Sequence, residues 1–398
     1  MTLGWLISKR RPARTPAIRY GTHWFRDVGT QVRLIRQEGV GLQLGSKTFD
    51  VPDATAAVEF CYEQGWTDGL PVVPPTHEAI EQIINYLGRD PKEVVGIVTP
   101  RNGIATIEKI AINCVMAGCR VEYVPIVIAA LEAMLEEPFN LNGVQTTTHC
   151  CAPLVIVSGS AVKRLAFNTA ENALGHGSRA NATIGRAVRL ILWNIGGGLP
   201  GEPCKTTHGH PGYYSFCIAE NQDANPWEPL HVGRGFGAEE TVVTVTAVEG
   251  PHSIGTGAGY SSSDDVLFVL ADAIAVLGSN SVTGGDMILA LSPLVSQNLA
   301  GSGLSKQDVV RELMQQAMRP VHDMRRKRNI AEVSQHHWNK LADPDDDDAL
   351  VPFIRKAENI VIFTTGGWGS GGGFASLFPG WGSHGGLTQS KAVRFPRT

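Results

Sequence analysis

Short apolar runs alternate along this chain with stretches of helical period, and that alternation limits its fold more than any other feature. The runs Val94–Val98, Pro153–Ser158 (PLVIVS), Tyr214–Ala219, Thr241–Ala247 (TVVTVTA), Met287–Leu291 and Asn359–Thr364 (NIVIFT) have the length and residue types of strands. Between them lie helix-patterned segments at Ala105–Ala117, from Pro125 to about Glu136, and at Thr183–Asn194, Asp264–Leu277 and Ser305–Met318. Strand–helix–strand order favours a largely parallel sheet with helical cover, because a parallel connection needs a crossover long enough to hold a helix.

The series occurs twice. Val124–Leu131 (VPIVIAAL) resembles Val266–Ala273 (VLFVLADA), and Ala152–Ala166 parallels Ala290–Ala300 (ALSPLVSQNLA). The expected fold is α/β, made of internally duplicated β-α-β-α-β units with mainly parallel sheets and preceded by a short helical N-terminal arm. The expected boundaries are a basic extension over 1–50, the arm over 51–92, a first α/β unit over 93–235 and a second over 236–398. In the arm, Asp53 caps a helix over 53–64 and Thr76 caps another ending near Gly88. Three prolines in WTDGLPVVPPT (66–76) keep the link between them extended after an Asp68-Gly69 turn.

Composition narrows the function classes. The 398 residues are 43% hydrophobic and 18% charged, with a formal net charge of −4. A chain of this size buries enough apolar surface to fold without disulfides or structural metal. The charge balance supplies no basic surface for nucleic acid, and no apolar run approaches the ~18 residues needed to span a membrane. The first 26 residues carry six basic side chains and no acid, behind an apolar stretch at Leu3–Ile7, the reverse of a secretory signal. Seven cysteines without a CxxC pair match no disulfide framework, so reduced thiols and a cytoplasmic location are expected. The basic run at 325–328 and the acidic run at 343–348 read as a solvated insertion.

The first unit spends about eight more residues than the second between helix and strand, and this surplus contains QTTTHCC (145–151). Polar residues that a fold does not require at such a connection point to chemistry. A thiolate nucleophile needs a lowered pKa, which a nearby imidazolium supplies, so Cys151 with His149 is the first candidate. Gly118 would put Cys119 in a turn, where it could face Cys151 as a resolving thiol, while Cys114 reads as core. His208 and His210 offer two imidazoles to a metal, with Cys204, His176 or His149 completing the set.

Arg179, Asn181 and Thr183 stand at the start of the helix that carries Arg186 and Arg189. Asn181 reads as its N-cap, and free N–H groups there would receive a carboxylate or phosphate. The stretch 366–386 holds ten glycines in 21 residues. Gly367, Gly369 and Gly372 fit GxGxxG, yet only 26 residues follow Gly372, too few for the next strand and acidic ribose ligand of a dinucleotide fold. The loop can still cradle an anion through its backbone.

Four segments together resemble a bacterial family associated with the UGSC-type (seleno)proteins: WTDGLPVVPPT (66–76), TIEKIAINCVMAGCRVEY (106–123), RANATIGRAVRLIL (179–192) and GEPCKTTHGHPGYYSFCIAENQDANPWEPLHV (201–232). The resemblance spans about residues 50–385 and implies thiol or redox chemistry, although this chain has neither selenocysteine nor a UGSC string. It carries over Asp68, Cys119, His149, Cys151, Arg179, Asn181, Thr183, His208 and Glu220 as pocket residues. Cys114, Cys150 and Cys204 are less typical of the pattern.

The expected function is a small-molecule enzyme using a cysteine thiol, nucleophilic or redox, on an anionic organic substrate in a cleft between the two units. Cys151, Cys119, His149 and His208 are the expected catalytic residues. Asp68, Arg179, Asn181, Thr183, Glu220, Gly367 and Gly369 are expected to bind substrate. The sequence requires no cofactor. One alternative is a metal-dependent lyase or hydratase with ligands His149, His208 and His210. Another is a non-catalytic subunit of a multi-component enzyme. The expected partners are a small molecule and either a second copy or a UGSC-type protein, with no nucleic acid and no membrane.

Overall fold

The computed structural model describes residues 30–34, 42–326, 340–382 and 385–396. The basic segment before residue 30, and residues 327 and 328 of the basic run, lie outside them. A parallel pair, β1 (Thr30–Leu34) and β2 (Lys47–Val51), leads into α1 (Ala54–Glu63) and α2 (His77–Leu87). Asp53 and Thr76 cap the two helices through their side chains, and Gly88 ends α2 in the left-handed region at φ 61°. These helices are packed into the first half, where Ala57, Cys61, Ile80, Ile83 and Ile84 are buried in its core. Next, β3 (Val94–Val98) and β4 (Gly103–Thr106) make a separate antiparallel hairpin before α3 (Ile107–Ala117), α4 (Val124–Met134) and α5 (Leu141–Thr146).

The central elements of the first half are β5 (Ala152–Gly159), α6 (Ala161–Arg164), α7 (Arg179–Asn194), β6 (Cys217–Ala219), α8 (Leu230–Gly233) and β7 (Thr241–Val248). Then follow β8 (His252–Gly255), α9 (Ser263–Ile274), β9 (Met287–Leu291), α10 (Pro293–Gly301) and α11 (Lys306–Gln316). The chain closes through β10 (Met318–Pro320), α12 (Val321–Arg326), β11 (Leu350–Pro352), β12 (Ile360–Thr364), β13 (Phe374–Phe378) and β14 (Gln389–Ala392). The fold is α/β.

Two four-stranded sheets organise these elements, in the orders β14-β7-β5-β6 and β8-β13-β9-β12. Each holds one parallel pair, β5 with β6 or β9 with β12, and two antiparallel pairs. The sheets are thus mixed, which corrects the expectation of mainly parallel pairing. Helical crossovers do join the two parallel pairs, through α7 and through α10 with α11. The next strand in each half returns on the other side of the central strand and runs back antiparallel. Its connection holds only the four-residue α8 in one half, and a loop in the other.

The last strands are exchanged. β8, which follows β7 in the chain, pairs with β13, and β14, which follows β13, pairs with β7. The two sheets therefore repeat one order of strands and directions. Of the two aligned segment pairs, Val124–Leu131 and Val266–Ala273 both lie in helices, α4 and α9, whereas 293–301 is helix α10 and 152–159 is strand β5. Likewise β7, expected to open the second unit, is bonded into the first sheet along eight residue pairs.

Alternation along the strands explains why their apolar runs are continuous. β5 sends Leu154 and Ile156 to one core and Val155 and Val157 to another. β9 does the same with Ile288 and Ala290 against Met287, Leu289 and Leu291. Both faces of each sheet are covered, so a polar face would have no water to meet. The shared core between the sheets contains Leu154, Ile156, Ile288, Phe363 and Phe378, and helices close the outer faces. The layers run helix, sheet, sheet, helix.

The glycine-rich stretch is not one loop, since FASLF forms β13 inside it. Residues 365–373 carry the chain past the end of β9 from β12 to β13. Gly380 permits a close approach, as a Cβ there would lie 1.7 Å from the Asp286 carbonyl oxygen. By contrast, Gly301 sits in α10 with open space around it. Phe363→Ala should cost about 3–5 kcal/mol in urea unfolding, by emptying the core between the sheets. Gly301→Ala should gain up to about 1 kcal/mol. A Phe363→Ala loss below about 1 kcal/mol would contradict the face-to-face packing of the sheets.

Candidate functional site

The antiparallel pairing of β5 with β7 brings a histidine, a cysteine and a glutamate together. Ala152 faces Val248 at the end of the ladder, so the residues just before β5 meet those just after β7. His149 Nε2 lies 2.6 Å from Glu249 Oε1, a contact between residues 100 apart in sequence. A ring nitrogen of His149, Cys150 Sγ and a Glu249 carboxylate oxygen all lie within 4.8 Å of one another. The other His149 nitrogen, Nδ1, is buried without a hydrogen-bond partner. The two side chains are 22% and 23% exposed, which leaves the group reachable from solvent.

Loops hold this group from both sides. Thr147 Oγ1 accepts from His149 N at 3.1 Å and from Trp381 Nε1 at 3.2 Å. Thr207 N donates to the Thr148 carbonyl at 3.0 Å, bringing residues 204–216 over the site. His210 accepts from Gly212 N through Nδ1, and its ring stands edge-on to Tyr213 and Phe216. Burial pushes the His210 imidazole below its usual range. Gly250 lies against the same ring, since a Cβ there would be 3.5 Å from His210 Cγ.

Arg189 projects from α7 into this neighbourhood. Its guanidinium lies 4.7 Å from the Tyr213 ring centroid, and Nε donates to the Tyr213 carbonyl at 3.2 Å. Among the described residues it has no carboxylate partner within ion-pair distance. Asp68 belongs to Arg186, which grips it bidentately at 3.0 and 2.8 Å. Tyr213 Oη donates to the Cys151 carbonyl at 2.7 Å and lies 2.9 Å from Thr206 Oγ1. Burial raises the Tyr213 pKa, so this donor stays protonated.

The expected thiols separate. Cys151 is buried at 1% exposure, and burial holds its thiol far above the usual range, the reverse of an activated nucleophile. Cys119 sits past the end of α3, where its Sγ donates to the Thr183 carbonyl at 3.3 Å. Its sulfur neighbours are the buried Cys114 and Cys217. Cys119 packs against the first turns of α7, whereas Cys151 lies just before β5, where its carbonyl accepts from Tyr213. Cys150 is half-buried, and its thiol is raised by burial and then by Glu249.

The other expected residues are engaged in the fold. α7 begins at Arg179 with Ser178 as its cap, which corrects the assignment of that role to Asn181. The buried Asn181 accepts from Asn168 N and Ser178 Oγ and donates to the carbonyls of Asn168 and Ala173. Arg179 Nε binds the Gly118 carbonyl, and Thr183 Oγ1 binds the Arg179 carbonyl. Asp68 and Arg186 clamp the 66–76 segment to α7. His208 is exposed and stands apart from the inward-facing His210. Gly367 packs on Glu171, whose Cγ would be 2.7 Å from an added Cβ, while Gly369 takes φ 70° in the same crossing.

Glu220, at the end of β6, is fully buried. Its two oxygens accept from Leu230 N at 2.9 and 3.0 Å, and Oε1 also accepts from Asn225 Nδ2 at 3.0 Å. Burial raises its pKa to about 7, against these hydrogen bonds and the field of Lys306. Glu249 and Arg189 were not anticipated as site residues, and His210 was expected only as a ligand in the alternative metal set. Glu249 follows an apolar strand with no motif around it, and only the β5–β7 register marks it. No family model matches the chain, and no curated protein matches it in sequence.

Two measurements check this geometry. Under native conditions a small alkylating agent should label Cys119, Cys150 and Cys204 well before Cys61, Cys114, Cys151 and Cys217; early labelling of Cys151 would contradict its burial. A second test concerns pH. The folded Glu220 pKa, about 7, lies above the ordinary 4.5. The stability linked to its protonated form is therefore complete below about pH 4.5 and lost as pH rises through 7. Glu220→Gln should gain about 2–3 kcal/mol relative to the parent chain between about pH 5 and 8, and a flat difference would contradict the shift.

Proposed function

We propose that this chain is an enzyme for a small anionic organic molecule, with proton transfer centred on His149 and Glu249. The observation that carries this reading is the 2.6 Å contact between His149 Nε2 and Glu249 Oε1. A carboxylate holding one nitrogen orients an imidazole and stabilises its charged form, which suits it to accept and return a proton. Arg189 supplies the anion selectivity, since a half-buried guanidinium without a carboxylate partner favours a ligand that brings one. Tyr213 fixes the plane of that guanidinium. The reaction class that fits is addition or elimination next to a carboxylate, the lyase or hydratase type.

A thiol mechanism has a second claim, in altered form. Cys150 lies beside His149 and is partly exposed, whereas Cys151 is buried. The thiol in such a mechanism is therefore Cys150.

Turnover of a panel of hydroxy and unsaturated carboxylic acids tests the reading. His149→Ala and Glu249→Gln should each lower kcat by at least about 100-fold, a typical loss for an acid–base group. Arg189→Gln should act mainly on KM, and Cys151→Ser should leave kcat within about threefold. Unchanged turnover in His149→Ala would overturn the proposal. Loss of turnover in Cys150→Ser with His149→Ala still active would favour the thiol mechanism.

A further inference from the structure

We infer that His149, Cys150 and Glu249 form a binding site for a divalent metal ion of the zinc class. The inference goes beyond the proposed activity and stands on donor geometry, whether or not that activity is correct.

The three residues supply imidazole nitrogen, thiol sulfur and carboxylate oxygen, with the donor atoms no more than 4.8 Å apart. Zinc bonds these atom types at about 2.0–2.3 Å, so neighbouring ligands in a tetrahedral site stand roughly 3.3–3.7 Å apart. The His149–Glu249 contact, now 2.6 Å, would open by about 0.7 Å, and the widest separation would close by about 1 Å. Rotation of partly exposed side chains covers both changes. A mixed N, S, O donor set suits zinc, cobalt or nickel and disfavours magnesium and calcium, which select oxygen.

The donor nitrogen is Nε2, which already faces Glu249, whereas Nδ1 is buried on the other side of the ring. Thr147 and Thr206 fix the His149 backbone from either side. Three protein ligands leave a fourth position open, which is the arrangement of catalytic zinc sites rather than closed structural ones. The expected His149, His208 and His210 set does not form among the described residues, where His149 is grouped instead with Cys150 and Glu249.

The test is binding to the full chain after dialysis against a chelator. Titration with zinc chloride should give one equivalent bound. Cobalt(II) chloride should give a thiolate-to-cobalt charge-transfer band in the near ultraviolet. Cys150→Ser should abolish that band, Cys151→Ser should keep it, and His149→Gln or Glu249→Gln should weaken uptake at least tenfold. In the unmutated chain, zinc should slow alkylation of Cys150 by at least tenfold and leave Cys119 unchanged, which needs no variant to fold. A failure to bind one equivalent, or equal protection of Cys119 and Cys150, overturns the metal site. Because every readout is binding, such a failure leaves the His149–Glu249 acid–base reading to its own turnover test.

Discussion

The antiparallel pairing of β5 with β7 is the constraint on which the rest of this molecule depends. Eight consecutive residue pairs join two strands with every residue buried, so the register cannot slip without turning apolar side chains toward the wrong core. That register also places the loop before β5 against the residues after β7. A His–Glu pair has formed there without burying either side chain fully. Buried polar groups are costly unless paired, and His149 and Glu249 meet that requirement on one side of the ring. Nδ1, on the other side, is buried and unpaired.

The second sheet contributes in another way. Its inner face packs on the first through Phe363, Phe378 and Ile288, and the exchanged strands β8 and β14 stitch each half to the other. Trp381, which follows β13, reaches back to Thr147 in the site loop. The site thus draws its backbone support from both halves, although its polar side chains come from the first. Rigid strands at the base and covering loops at the rim suit a site that must hold a few groups precisely while admitting a small ligand.

Local features of the fold were legible in the sequence. Asp53 and Thr76 were readable as caps because their short oxygen-bearing side chains precede helical periods, and Gly88 as a stop because glycine takes the left-handed turn without steric cost. The strands at 153–158, 241–247 and 287–291 were readable from continuous apolar runs. Their pairing was not, because direction depends on which side of β5 or β9 the chain returns, and no local residue encodes that choice. The exchanged strands β8 and β14 were hidden for the same reason, and FASLF was masked by the glycines around it. At the site, His149 could be found from its loop. Glu249 and Arg189 could not, since their partners are distant in sequence, while Asn181 and Asp68 had chemistry-bearing side chains already spent on holding loops in place.

The account's central claim is that His149 and Glu249 act as one unit created by the β5–β7 register. A double-mutant cycle on kcat/KM measures this most directly. Glu249→Gln should slow the parent enzyme strongly yet have almost no further effect once His149 is alanine, because a carboxylate that works only through the imidazole has nothing left to orient. If the two losses instead multiply, with the double variant slower by the product of the single effects, the residues act independently and the account is contradicted.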